Sequence, residues 1–127
     1  MKKSIQTEQA PQPIGCYSQA LLTGNFLFVS GQIAIMPATG ELISPDIKEQ
    51  TTRILENTKA ILTKAGMTMN DVVKTTLYLA DINHLATVNE IYGGYFAGPM
   101  PARETIEAPR LPKDSGIELS FIAYKSD

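Results

Sequence analysis

Along the chain the spacing of apolar positions changes, and each change marks an element. From Phe26 to Ala34 apolar side chains occupy both parities, Phe26 and Phe28 on one and Leu27, Val29 and Ile33 on the other, as in a strand buried on both faces. Thr23-Gly24-Asn25 is turn chemistry between this run and Tyr17 to Leu22, so the two predict a β-hairpin. After a loop bracketed by Pro37-Ala38-Thr39-Gly40 and Ser44-Pro45-Asp46, residues Ile47, Ile54, Ile61, Leu62 and Ala65 recur near the helical period. Lys48, Glu49, Arg53, Glu56, Lys59 and Lys64 fill the other side of that helix, and Gly66 stands where a left-handed C-terminal cap belongs. Asp71 to Ala80 is rich in β-branched residues and reads as a strand, with Val73, Leu77 and Leu79 against Val72 and Tyr78. Asn83 offers an N-cap to a second helix through Leu85, Val88, Tyr92 and Phe96, weakened at Gly93-Gly94. Arg103 to Ala108 and Ile117 to Lys125 are strands, and the first thirteen residues, carrying Pro11 and Pro13, read as an extended edge or arm.

The order β-β-α-β-α-β-β predicts an α+β sandwich, a mixed sheet with two helices on one face. The other face has no layer of its own, although two strands are apolar on both parities. Other copies of the chain are the most economical cover, so a homo-oligomer with pockets at its interfaces is expected.

Composition narrows the partners. One domain spanning 1–127 accounts for the length, and a net charge of -2 with Lys2-Lys3 as the one basic doublet makes nucleic acid an unlikely ligand. No apolar run approaches the roughly 20 residues that span a bilayer, which gives a cytoplasmic protein as the expectation. Cys16 and His84 stand alone, so neither a disulfide nor a structural zinc is expected.

Glycine-rich phosphate loops, GxSxG, HExxH and CxxC are all missing. By the two-residue strand period, Arg103 shares a side with Thr105, and Glu118 shares one with Ser120, Ile122 and Tyr124, leaving Ile117, Leu119, Phe121 and Ala123 as core. A carboxylate within such a strand is costly unless it has a partner or a task. Arg103 is either a surface cation or a clamp whose planar fork takes a carboxylate through two hydrogen bonds. Glu118 is either half of a rim salt bridge or an acid–base group. Taken singly, Tyr17 reads as a core aromatic and Asn89 as a solvated helix residue.

Ile14-Gly15-Cys16-Tyr17-Ser18-Gln19, Val29-Ser30-Gly31-Gln32-Ile33, Ala86-Thr87-Val88-Asn89, Pro101-Ala102-Arg103, Arg110-Leu111-Pro112-Lys113-Asp114 and Ile117-Glu118 together resemble the RidA/YjgF family over essentially the whole chain. The resemblance implies a chorismate-mutase-like homotrimer with sites between subunits, and hydrolysis of 2-iminobutanoate and 2-iminopropanoate to 2-oxo acids and ammonia. It implies that Arg103 holds the substrate carboxylate, that Tyr17 and Glu118 position and activate water, with Tyr17 arriving from the neighbouring subunit, and that Gly31, Asn89 and Thr105 line the pocket. Gly31 would admit a closely approaching ligand, and Arg103 and Glu118 would converge on one inter-subunit cleft. No cofactor is implied, because an imine carbon is already electrophilic and its hydrolysis calls for orientation and proton transfer. Cys16 stands where proline is frequent in the family, Pro109 where another residue is common, and Ser120 where an acid is frequent. Thr105 stands where well-known deaminases carry cysteine, which bears on substrate range. Two other functions compete: a non-catalytic trimer that binds 2-oxo acids for regulation, and a ribonuclease or translation inhibitor.

Overall fold

Strand β6 (Ile117–Tyr124) owes its central place to its alternation, since Ile117, Leu119, Phe121 and Ala123 are all 2% exposed or less. In this computed structural model, which describes residues 1–127, β6 lies antiparallel between β3 (Phe26–Ile33) and β4 (Val72–Leu79). The six-stranded sheet runs β1-β2-β3-β6-β4-β5, with β1 Lys2–Ile5, β2 Ala20–Thr23 and β5 Ala102–Glu107. Only β4 and β5 pair in parallel, joined through α2 (Leu85–Gly93). Such a pair needs a crossover connection, and α2 supplies it. The sheet is mixed, as the element order implied, and the arm read at the N-terminus contains a true edge strand, β1, paired with β2.

Helix α1 (Ile47–Lys64) starts where Asp46 accepts a hydrogen bond from the Lys48 amide at 3.0 Å and ends in Gly66 with φ +77°. The Met67 amide donates to Leu62 O and the Gly66 amide to Thr63 O, the paired bonds of a Schellman motif. Its buried stripe is wider than its apolar residues, because Gln50, Thr51, Asn57 and Thr58 are buried as well. Each is satisfied: Thr51 and Thr58 donate to carbonyls one turn back, Asn57 donates to Ile35 O, and Gln50 donates to Ser44 O while accepting from Gly116 N. Buried polar groups with partners carry no desolvation debt, and here they bind the 35–44 loop and the approach to β6 onto the helix.

Several sequence expectations shift. Tyr17 is not in a strand, since β2 begins at Ala20. Asn83 is not an N-cap; it lies inside a 3₁₀ turn, Ile82–His84, capped by Asp81, whose side chain accepts from the Asn83 amide, and α2 follows from Leu85. In β4, Val72 is buried while Val73 is 45% exposed, opposite to the strict alternation, because a register shift between Val72 and Lys74 turns the chain over. The outer face of the sheet carries Phe26 and Phe28, each 43% exposed, with Ile106 and Tyr124 beside them on other strands. That is the uncovered apolar face anticipated from the two-parity strands.

Candidate active site

Glu118 lies outward on β6 because both of its neighbours, Ile117 and Leu119, are fully buried. Its rung runs from Ile33 on β3 to Tyr78 on β4. Between the Val29–Phe121 and Gln32–Leu119 pairs, Ser30 and Gly31 together oppose the single Ser120, a β-bulge that pulls β3 aside next to Glu118. A side chain at Gly31 would overlap Glu118 Oε2 and sit 2.9 Å from Cδ. What Gly31 admits is therefore the Glu118 carboxylate rather than, as the sequence suggested, a ligand. The half-buried carboxyl has neither a hydrogen bond nor an ion pair of its own, and burial raises its pKa above the ordinary 4.5. Of the alternatives read for it, the rim salt bridge is absent in this chain.

Tyr17 joins Glu118 in a cleft of about 370 Å³ whose other walls are Ser30, Gly31, Ile33 and Pro112. The ring is 53% exposed and its hydroxyl accepts from the Ile14 amide at 3.3 Å. Its segment is anchored on both sides. Ser30 Oγ donates to Ser18 O at 2.6 Å, and the side chain of Gln19, 2% exposed, bonds Thr7 N, Thr7 O and Pro11 O. Tyr17 and Glu118 thus line one cleft of a single chain, so a tyrosine arriving from a neighbouring subunit would bring Glu118 with it.

Pro112 is delivered by a strained loop. Lys113 and Asp114 both hold positive φ, 55° and 57°, a conformation that costs a non-glycine residue energy and persists only when its surroundings enforce it. The enforcement is visible: Arg110 grips Asp114 through Nε at 2.7 Å, Lys113 Nζ donates to Gly40 O at 3.2 Å, and buried Ser115 accepts from Ala34 N and donates to Ile117 O. The Arg110 hydrogen bond and charge lower the Asp114 pKa.

Arg103 is elsewhere. It pairs in register with Thr75, and Thr105 with Leu77, both buried residues of the helix-covered face, whereas Glu118 pairs with outward Tyr78. Strand β4 lies between β5 and β6, so the guanidinium and the carboxyl occupy different strands and opposite faces, and a single chain does not bring them to one cleft. Arg103 is half-buried, has no carboxylate partner, and places Cζ 4.9 Å from the centroid of the Tyr92 ring. Asn89 is exposed on α2, three residues before Tyr92.

The six residues read from the sequence therefore form two half-sites, Tyr17, Gly31 and Glu118 on one side and Arg103 with Thr105 on the other, with Asn89 on the helix beside Tyr92. Ser30, Pro112 and Tyr92 were not singled out beforehand. Ser30 and Pro112 stood inside the quoted motifs without a role, and Tyr92 was absorbed into the helical period as core.

The family model described as Endoribonuclease L-PSP matches residues 7–125. The chain belongs to this family, the RidA/YjgF family. Among similar proteins, a RutC family protein of Pyrococcus abyssi is 58% identical over 98% of each chain. The 2-iminobutanoate/2-iminopropanoate deaminase of Rattus norvegicus is 46% identical over 98% of this chain and 91% of that protein. The crystal structure of the yjgF gene product of E. coli superposes with a TM-score of 0.92 at 42% identity, covering 98% of this chain and 99% of that one. No helix is long and apolar enough to cross a membrane.

Proposed function

We propose that this RidA/YjgF family member is a hydrolytic deaminase of reactive 2-imino acids, 2-iminobutanoate and 2-iminopropanoate, acting as a homotrimer whose sites form between protomers. The observation that carries the reading is a pair of charged groups left without partners on two half-sites: an unpaired guanidinium on β5 and an unpaired, half-buried carboxyl on β6. Each is incomplete alone, and a second copy laid on the open face supplies what the first lacks. The name of the rat relative supports the chemistry.

Arg103 binds the substrate carboxylate through its fork, with Thr105 beside it and Asn89 at the rim. Glu118 takes a proton from water as the oxygen bonds to the carbon of the protonated imine, giving a carbinolamine. The same carboxyl returns that proton to nitrogen; the hydroxyl proton then passes to Glu118 as C=O forms and the C–N bond breaks, releasing the 2-oxo acid and ammonia, which carries off the last proton as ammonium. Tyr17 orients the water. A carboxyl whose pKa is raised above 4.5 by burial is a stronger base than an ordinary glutamate, which suits the transfer from water.

Steady-state kinetics with imino acid generated in situ test the assignment. Arg103→Ala raises KM, and Glu118→Gln lowers kcat by about 10² to 10⁴, the range of a lost general base. Undiminished turnover by Glu118→Gln removes the catalytic role of Glu118, whereas absence of turnover by the parent protein leaves the regulatory 2-oxo-acid binder. The ribonuclease reading draws on the family description, but a chain of net charge -2 whose candidate site offers one arginine suits a small anion better than a polyanion.

A further inference from the structure

We propose that Tyr92 is the positioning residue for Arg103, holding its guanidinium against a pinned aromatic ring so that no carboxylate of this chain fills the fork that takes the substrate carboxylate; the inference rests on reading Arg103 as the carboxylate clamp. A long arginine side chain at a strand edge samples many rotamers, and ordering it at the moment of binding costs side-chain entropy. A carboxylate partner would order it in advance, but only by occupying the fork that the substrate needs. An aromatic ring does so without neutralising the cation or filling that fork with a second carboxylate. Arg103 has that second arrangement: its Cζ is 4.9 Å from the Tyr92 centroid and it forms no salt bridge.

The seat itself is fixed. Tyr92 is 4% exposed, its hydroxyl is 2.8 Å from Thr75 Oγ1, and the Phe96 ring packs against it with centroids 4.9 Å apart. Thr75 is the rung partner of Arg103 on the parallel β4–β5 ladder. The residue that anchors the ring and the residue that lies over it therefore sit side by side on adjacent strands, so the ladder sets the distance between seat and cation. Burial pushes the Tyr92 phenol above its usual 10.0. The ring stays neutral at working pH and attracts the cation through its quadrupole.

A graded substitution separates this role from packing. Residue 92 is replaced by phenylalanine (Tyr92→Phe) and then by phenylalanines bearing one, two and three ring fluorines, which keep the shape of the side chain and progressively weaken the quadrupole. KM for the imino acid is expected to rise with each fluorine, by about tenfold across the series, while kcat stays within about twofold. In an Arg103→Ala background the same series leaves KM flat. A KM that is flat in the native background while Arg103→Ala alone raises it overturns the role of Tyr92 and leaves the clamp standing. A rise of equal size in both backgrounds assigns Tyr92 to packing and also overturns it. If Arg103→Ala leaves KM unchanged, the clamp fails and this inference with it.

Discussion

Glu118 shows what a single residue costs the fold. Its carboxyl is held above the ordinary 4.5 by burial, with no hydrogen bond or cation to offset the desolvation. The folded chain then binds this proton more tightly than the unfolded chain does. Its contribution to stability is complete below 4.5 and is lost as the pH rises through the raised folded value. Glu118→Gln, which keeps the shape beside Gly31, is expected to melt higher than the parent near pH 7.5 and at the same temperature below pH 4. Calorimetry at the two pH values checks this, and an equal difference at both would mean that ionisation is not the cause. The identity of this residue, and its outward parity, could be read from the alternation of β6. Its closeness to Gly31 could not, because that depends on a bulge in a different strand.

Helix α1 was the plainest element in the sequence, and its C-terminal end was legible for a local reason. Asp46 and Gly66 act on backbone groups within a few residues of themselves. With φ at +77°, Gly66 occupies a region that costs an L-residue about 1 to 2 kcal/mol. Gly66→Ala should lower the unfolding free energy by that amount, read as a lower urea midpoint with an unchanged m-value, and a midpoint equal to that of the parent would contradict the cap. The buried face of the same helix was only half legible. Gln50, Thr51, Asn57 and Thr58 look like solvent-facing residues by composition, yet all four are buried: Thr51 and Thr58 bond carbonyls one turn back in the helix, whereas Gln50 and Asn57 are satisfied by groups that tertiary structure brings to them. The second helix was misread at its start for a related reason: Asp81 and Asn83 are both good caps, and the choice between them was made by where β4 releases the chain.

For the whole molecule, the open sheet face is the feature with consequences. Phe26 stacks with Tyr124 at 5.0 Å and lies 6.3 Å from Phe28, a cluster of aromatic groups with no layer of this chain above it. If that face is the seam of the proposed trimer, Phe28→Glu introduces a charge that assembly would have to bury. Sedimentation equilibrium is expected to show a monomer, and kcat/KM is expected to fall at least a hundredfold although Tyr17, Glu118 and Arg103 are untouched. A variant that remains assembled and active would place the seam elsewhere.

The amino-acid sequence by itself determined most of the elements, the odd-numbered core of β6, the helix cap at Gly66, and the residues on which the proposed chemistry rests. All of these follow from chemistry within a turn or a rung of the chain. Only the tertiary structure decided that β4 separates Arg103 from Glu118, that the two charges face opposite sides of one sheet, and that Tyr17 belongs with Glu118 and Tyr92 with Arg103. Strand order and bulges are settled by contacts between residues far apart in sequence, and alternation within one strand carries no record of which strand lies next to it.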